Sequence, residues 1–371
     1  MRSGEYGGVR TRPRGESPSE DDRIWLASVR DAVRDHLRDF VGRACVDRLG
    51  SANVDVAADV LGGFVVGGKY VRSTFMYLGW LCGAEENDAA LRASASLELL
   101  HAFALMQDDV MDGSPLRRGR PAAPVVFAKW HAERALAGSP DRFGESAAVL
   151  LGDLCLVWAE EMLRRSGVGA EALARVWPRY DEMRAELAIG QFADLVNSAQ
   201  CFPSFDDVLD VLRRKSGNYT VRRPLEMGAA MAGCGSDVLD ALAGYGTAIG
   251  EAFQLRDDLL GVFGSPSLTG KSAGTDLAEH KATSVVVAAH ELAGPAVRRE
   301  LAELMAGPDI DDAAAERWRH LIVASGAVQR IEELIGERLT RALDLIDGLD
   351  ITGARSKALS DMAVACARRA A

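Results

Sequence analysis

The sequence predicts an all-α protein, built as a helical bundle around long central helices. Apolar residues recur at the three- and four-residue steps of an amphipathic helix, first in the stretch 24–41, where Leu26, Val29 and Val33 begin the series. We find no convincing run of alternating strands and no helical repeat of fixed length. Ala, Leu, Arg, Asp and Glu dominate the composition and aromatic residues make up only 6%, which also favours helices.

The order of elements follows from this period and from the Gly, Pro and Asn-Asp sites that interrupt it. Residues 1–21 are rich in Gly, Arg, Ser and Pro, so we expect a disordered tail, followed by a single domain over 22–371. Further helices are predicted at 71–83, 88–112, 144–165, 169–198, 206–233, 236–264, 275–292, 312–347 and 354–370. Bundles of this kind carry their sites in the core, on facing helices.

Composition and charge exclude several functions. The net charge of −11 and the lack of a broad basic patch argue against a nucleic-acid partner. The six cysteines are scattered without a CxxC pair, as expected of free thiols in a reducing cytosol. We see no signal peptide, and no uncharged apolar run approaches the roughly 20 residues of a membrane span. We therefore expect a cytoplasmic protein without a transmembrane segment.

An acidic cluster ends the apolar run 99–107. Asp108 and Asp112 are four residues apart, so on a helix they lie on one face and can reach the same ion, with Asp109 beside them. Carboxylates without His or Cys suit a hard cation such as Mg²⁺. A solvated acidic helix end is the alternative, but acids at a helix C-terminus are unfavourable with the helix dipole. This favours a bound cation.

A second acidic pair, Asp257 and Asp258, ends another long apolar stretch. Alone, such a pair is weak evidence of function. Two pairs, each at the end of an apolar helix, predict facing helices that enclose several metal ions between them.

Basic residues accompany both acidic clusters and are listed here from the N-terminus: Lys69, Arg72, His101, Arg117, Arg118, Lys215 and Lys271. Each alone could be a surface charge. Together with two metal sites they indicate a ligand with more than one phosphate, since Arg binds such groups bidentately and Lys acts as a point charge. A ligand with a diphosphate head and a hydrocarbon tail would fit both the charges and the apolar helix behind them.

These blocks resemble a known family. From about residue 24 to the C-terminus the chain is similar to the trans-isoprenyl diphosphate synthases, or polyprenyl synthetases. The matching blocks are GGKYVR, ELLHAFALMQDDVMD with RRGRP, LLGD at 150–153, GQFADL at 190–195, KSGNYT, FQLRDD and TGKSAGTDL with Lys281 after it. The resemblance implies an isoprenoid synthase-type all-α fold around a central cavity, a homodimer, and head-to-tail condensation of isopentenyl diphosphate with allylic diphosphates.

The resemblance also implies a role for each matching residue. Three Mg²⁺ ions would bind Asp108, Asp112 and Asp257 together with the allylic diphosphate, supported by Asp109 and Asp258. The remaining roles are these: Arg117, Lys215 and Lys271 for the allylic diphosphate; Lys69, Arg72, His101 and Arg118 for isopentenyl diphosphate; Lys281 for substrate binding; Ser216 and Gln254 near the developing allylic cation; Gln191 and Asp194 close to the metals.

Several positions depart from the family pattern. The family often has Arg and Pro where this chain has Tyr70 and Ser73, and often has His at the position of Gln107. The last Asp of the family's second motif is Gly261 here, and the GDDL pattern reads Gly274-Thr275-Asp276-Leu277. His280 stands where the family usually has a small residue. The principal acids are present, so we expect activity. The replacement at Gly261 is expected to affect metal affinity or rate.

Product length is expected to depend on the helix before the first acidic motif. Ala104 lies one turn below Asp108, and Phe103 is the expected floor of the cavity. In the family this combination resembles geranylgeranyl (twenty-carbon) synthases, with farnesyl (fifteen-carbon) or longer-chain synthases as alternatives. Core packing of both side chains is the alternative interpretation.

Three other functions compete. A class I terpene cyclase would need an Asn/Asp-Ser-Glu metal triad, and DDLLGVFGS lacks its Ser and Glu at the proper spacing. A low-activity partner subunit of a heteromeric synthase tends to lose aspartates, whereas the first motif is complete here. A purely structural bundle would not explain paired acids opposite paired bases.

Overall fold

The structure, a computed structural model, describes residues 20–50, 54–65, 67–200, 202–264, 277, 280–307, 311–349 and 351–368. The α-helices are α1 Glu20–Ala44, α2 Asp55–Val65, α3 Val71–Leu81, α4 Asp88–Met111, α5 Ala123–Glu133, α6 Pro140–Arg164, α7 Ala170–Ser198, α8 Phe205–Val211, α9 Arg223–Ala232, α10 Ser236–Phe263, α11 Ser284–Leu292, α12 Pro295–Met305, α13 Asp312–Ala324, α14 Ala327–Asp347 and α15 Gly353–Arg368. Two π-helical segments, π1 Cys45–Leu49 and π2 Leu212–Arg222, and a short antiparallel hairpin, β1 Leu116–Arg117 and β2 Arg120–Pro121, complete them. The predicted all-α class is confirmed.

Helix boundaries differ from the prediction in several places. Helices α2, α5 and α12 were not predicted, because each is short and begins or ends among Gly or Pro residues. The expected helix 206–233 is divided into α8, π2 and α9, and the expected helix 312–347 breaks before Gly326, whose φ of 83° ends α13 and begins α14. Helix α11 begins only at Ser284. Residues 1–19 of the predicted tail and 265–276 lie outside the described residues.

Helix α4 forms the centre of the bundle. Asn87 caps its first turn by accepting hydrogen bonds from the amides of Ala89 and Ala90. Leu97, Leu100 and many of its other apolar side chains are fully buried, as expected of a helix that is apolar around its whole circumference. Of the described helices, only α4 has the length and hydropathy to cross a membrane, yet 61% of its most apolar window is buried within the structure. It is the principal core helix.

Small residues allow α10 and π2 to approach each other closely. A Cβ atom on Gly250 of α10 would lie 2.5 Å from the carbonyl oxygen of Gly217 in π2, so no larger residue fits where these two segments cross. This crossing brings α10, which carries the second acidic pair, against the segment that carries Lys215.

Candidate active site

The first acidic cluster lies where α4 ends. Asp112 follows the last turn, and its backbone N–H donates to the Asp108 carbonyl at 2.8 Å. Arg117, on β1, donates from Nε to Asp109 Oδ1 at 2.7 Å and from Nη2 to Asp108 Oδ2 at 3.1 Å. Arg118 and Gly119, both with positive φ, form the turn between β1 and β2. Arg117 thus offsets the unfavourable charge at the end of α4.

Lys215 joins the cluster from π2. Its Nζ lies 3.1 Å from Asp108 Oδ1 and 2.6 Å from Asp194 Oδ2 of α7. This reach depends on Gly190, because a Cβ atom there would lie 2.5 Å from the Lys215 backbone nitrogen. The π-helical geometry was not predicted, although π-segments are often found at functional sites.

The second acidic cluster is joined to the start of α11. Gln254 and Asp258 lie one turn apart on α10, and Asp258 Oδ2 accepts from the Ser284 amide at 3.0 Å and from its hydroxyl at 2.6 Å. Just before α11, Lys281 Nζ reaches Asp112 Oδ2 at 3.1 Å. The segment Lys281–Ser284 therefore links the two acidic clusters, because Lys281 contacts Asp112 at the end of α4 and Ser284 contacts Asp258 on α10.

These charges stabilise one another. Burial raises the pKa of the Asp108 carboxyl, but Lys215 and Arg117 outweigh it and hold that pKa below its ordinary value. Burial lowers the pKa of Lys215, and Asp108 and Asp194 reverse the shift and raise it. Both groups are therefore ionised at neutral pH, and the cluster is a network of opposed charges.

The donor set suits magnesium that arrives with a ligand. Among the residues that the structure describes, no three acidic, imidazole or thiol side chains converge closely enough to form a complete metal cage. Mg²⁺ is usually held by one or two carboxylates and completes its shell with water and substrate phosphate. The acids on α4 and α10, two separate groups of hard oxygen donors, fit that arrangement.

A second polar group lies deeper along α4. Arg72 stacks over the Tyr219 ring at 4.4 Å and donates to Thr220 Oγ1 at 2.9 Å. The His101 ring centre lies 6.2 Å from that of Tyr219. Burial, with Arg72 and Arg118 nearby, lowers the pKa of His101 well below its ordinary value, so its imidazole is neutral. These residues could bind an anion through Arg72 beside an uncharged ring.

The two departures in and directly after the GGKYVR segment have structural roles. Tyr70 is buried in a left-handed conformation, with φ 49°, and its hydroxyl donates to the Val65 carbonyl at 3.3 Å. Ser73 donates from its hydroxyl to the buried Glu98 carboxylate at 2.7 Å. Arg118 donates to the Phe64 carbonyl at 3.3 Å, which holds it beside this segment. Lys69 is exposed at the segment's start.

Two cavities meet at the acidic clusters. The larger, about 610 Å³, is mostly apolar and is lined by predicted residues that include Arg72, His101, Phe103, Ala104, Asp108, Gln191, Lys215 and Ser216. The smaller, about 220 Å³, is polar and is lined by Asp112, Asp194, Lys215, Ser216, Gln254, Asp258 and Lys281 among others. A charged head and an apolar tail could therefore be bound side by side.

Most of the predicted site residues are brought together in this way. Asp257 is half-buried beside Asp258, and Lys271 lies outside the described residues. Sequence reasoning missed Tyr219, Glu98 and Arg184, which surround or support the larger cavity. Glu98 had a usable signal, because an acid inside an apolar helix needs a partner. Tyr219 lies within the matching block KSGNYT, which was its signal, and Arg184 had none.

Comparison with known proteins supports a single family. The family model for polyprenyl synthetases matches residues 56–321. The chain is 35% identical to the geranylgeranyl diphosphate synthase of Mycobacterium tuberculosis over 279 residues, 74% of each protein. It is 31% identical to the geranylfarnesyl diphosphate synthase of Aeropyrum pernix over 332 residues, 88% of this chain and 95% of that protein.

A solved structure agrees in fold. The geranylgeranyl pyrophosphate synthase from Corynebacterium glutamicum, complexed with isoprenyl diphosphate and magnesium, superimposes with a TM-score of 0.89 at 35% identity, covering 93% of this chain and 99% of that one. With the family match and the two acidic clusters beside an apolar cavity, this shows that the chain belongs to the polyprenyl synthetase family, the prenyltransferases that condense isopentenyl diphosphate with allylic diphosphates.

Proposed function

We propose that this chain is a Mg²⁺-dependent, cytoplasmic geranylgeranyl diphosphate synthase that acts as a homodimer. The observation that carries the proposal is the contact between the two cavities. The acids of α4 and α10 lie at the polar end, and Phe103 and Ala104 line the apolar one. The relatives make products of different length, so the twenty-carbon product rests on the lining residues Phe103 and Ala104.

The cations of the polar end would bind the allylic diphosphate. Arg117, Lys215 and Lys281 are paired with aspartates in the structure. Bound Mg²⁺ would supply electrostatic stabilisation of the departing diphosphate, and the acids Asp108, Asp112 and Asp257 would hold it. With metal on the acids, the three cationic side chains become available to phosphate oxygens.

Isopentenyl diphosphate would bind at the second polar group. Arg72, which lines the larger cavity, and Lys69 and Arg118 would hold its diphosphate beside the neutral His101, whose pKa Arg72 and Arg118 help to lower. Ser216 and Gln254 carry uncharged polar side chains near the junction of the cavities, where they would face the developing allylic cation without adding a charge. The double bond of isopentenyl diphosphate then attacks, and the proton lost is taken by the released diphosphate.

The homodimer is supported by an exposed apolar face on α6 and α7. Leu150 and Val157 on α6 are 69% and 56% exposed, and Ile189 on α7 is 56% exposed. Exposed large apolar side chains on such helices suit an interaction surface. Leu150→Glu should shift the protein toward monomer in light scattering, while Leu136→Glu, a loop control, should not. A monomeric wild-type protein would contradict the dimer.

Product analysis tests the proposed activity. Purified protein would be incubated with Mg²⁺, labelled isopentenyl diphosphate and five-, ten- or fifteen-carbon allylic primers in turn. A dominant twenty-carbon diphosphate is expected, and Asp108→Ala should reduce the rate by several orders of magnitude. A fifteen-carbon or longer product would keep the synthase and reject the predicted product. If no primer gives a product, the chain is better explained as a partner subunit whose activity is lost with the aspartate that Gly261 replaces.

A further inference from the structure

An ion pair lies at the deep end of the larger cavity. Arg184 of α7 lines this cavity beside apolar side chains and is paired with Glu160 of α6. Unlike Arg72, Asp108 and Lys215, which line the same cavity within the polar groups described above, Arg184 lies among apolar side chains such as Leu187 and Leu156, where a hydrocarbon chain would have to desolvate it. The pair therefore needs a role other than binding the diphosphate.

Contacts between the helices fix its depth. Arg92 near the start of α4 donates to the Ser166 carbonyl just after α6, and Gln107 near the end of α4 donates to Asp153, so the two helices are antiparallel. Gln191 on α7 contacts Met111 at the end of α4. The upper level of the cavity is thus marked by Gln107 and its neighbours on α6 and α7.

The lining follows one stripe down each helix. On α6 it runs from Asp153 through Leu156 toward Glu160, and on α7 from Gln191 through Leu187 to Arg184. Steps of three and four residues keep each stripe on one helix face. Seven residues correspond to roughly 10 Å along a helix. The ion pair therefore lies about two turns from the acidic clusters, after the apolar side chains Leu156 and Leu187, and Arg184 is level with Phe103 and Ala104 on α4.

The guanidinium is held firmly in this place. It contacts Glu160, donates to Asp181 Oδ1 at 2.5 Å, and lies 4.5 Å from the centre of the Tyr180 ring. These contacts come from two helices and leave the side chain little freedom to swing aside. Arg184 and Glu160 are 28% and 34% exposed, so the pair bridges α6 and α7 at a partly solvent-accessible position.

We propose that the Arg184–Glu160 ion pair is a second determinant of product length, a polar barrier that works with Phe103 from the α6–α7 side of the cavity and stops the growing hydrocarbon chain. This inference rests on the proposed synthase activity. A prenyl chain that passes Phe103 would have to desolvate or separate the pair. Phe103 acts by bulk, whereas the pair acts by charge.

Product distributions of a small variant set test the barrier. Arg184→Leu removes the charge, and Arg184→Leu/Glu160→Leu also removes the unpaired acid in case the single variant folds poorly. Both should raise the fraction of products longer than the wild-type product several-fold. Phe103→Ala should lengthen the product, and Phe103→Ala/Arg184→Leu should lengthen it further. Arg184→Lys, which keeps a charge, should remain closer to wild type.

Controls separate this inference from the proposed function. Arg179→Leu on the same helix, where the guanidinium donates to the Arg175 carbonyl and does not line the cavity, should leave the distribution unchanged. The barrier alone would be overturned by the following result: the wild-type protein makes its expected product, and the folded Arg184→Leu and Arg184→Leu/Glu160→Leu variants show the same product distribution. Absence of prenyl product from the wild-type protein would overturn the proposed function, and the barrier with it.

Discussion

The ammonium nitrogen of Lys281 lies 3.1 Å from a carboxylate oxygen of Asp112, although 169 residues separate the two along the chain. This contact joins the segment before α11 to the end of α4, across the mouth of the polar cavity. Lys281 is 37% exposed and Asp112 is 17% exposed, so the link is at the surface of the site and open to exchange with a phosphate group.

Lys281→Met is expected to weaken binding of the allylic diphosphate. Hydrogen bonds to charged groups contribute about 1.5–3 kcal/mol, so the KM for the allylic substrate should rise roughly ten- to a hundred-fold. Steady-state kinetics with varied allylic substrate would measure this. Lys129→Met, which removes an exposed lysine from α5, is the control. Equal KM values for the two variants would contradict the assignment.

Gly190→Ala should disturb both stability and rate. The new Cβ atom would lie 2.5 Å from the Lys215 backbone nitrogen, so α7 and π2 must separate. Overpacking of this kind typically costs about 1–3 kcal/mol, and displacement of Lys215 should also lower kcat. Urea unfolding and kinetics would report both effects.

The control for this change is Gly336→Ala. Gly336 lies inside α14 with no atom within 4 Å of a built Cβ, so alanine should stabilise the helix by up to about 1 kcal/mol. A Gly190→Ala protein as stable and as active as wild type would show that the close crossing is not required.

Ser73→Ala should destabilise the protein by about 1–3 kcal/mol, because the buried Glu98 carboxylate loses the hydroxyl donor at 2.7 Å. The same loss should raise the KM for isopentenyl diphosphate, since Arg72 adjoins Ser73. Ser94→Ala removes an equally buried hydroxyl that bonds only the Ala90 carbonyl, so it should cost less. Similar losses in the two variants would argue against a special role for the Ser73–Glu98 contact.

Stability should fall in acid partly through His101. Burial, followed by the charges of Arg72 and Arg118, lowers the pKa of His101 in the folded protein. The unfolded chain therefore binds a proton that the folded protein does not, and stability is lost as pH falls below the ordinary value of about 6.5. The slope from this one group reaches at most about 1.4 kcal/mol per pH unit.

Urea unfolding of wild type and His101→Asn between pH 8 and pH 5 would measure this term. The wild-type protein should lose more stability than the variant over the acidic part of the range. Parallel curves for the two proteins would mean that His101 takes up a proton in the folded state.

The helical class could be predicted because the apolar period is local, and each helix carries it within its own residues. The π-helical course of Leu212–Arg222 could not, because the same local pattern is compatible with an α-helix. Close packing of π2 against α7 and α10 accompanies the wider turn, and Gly190, Gly217 and Gly250 permit that packing. Short helices such as α2 and α5 were missed since their periodic signal is brief.

The sequence by itself determined the two acidic motifs, the basic residues near them and the family resemblance, because these depend on residue type and spacing along single helices. Only the tertiary structure decided which charges meet. Three sets of ion pairs join separate elements: Lys215 with Asp108 and Asp194, Lys281 with Asp112, and Arg184 with Glu160. Such pairs form where helices cross, and crossing geometry depends on packing between distant segments, which no local pattern encodes.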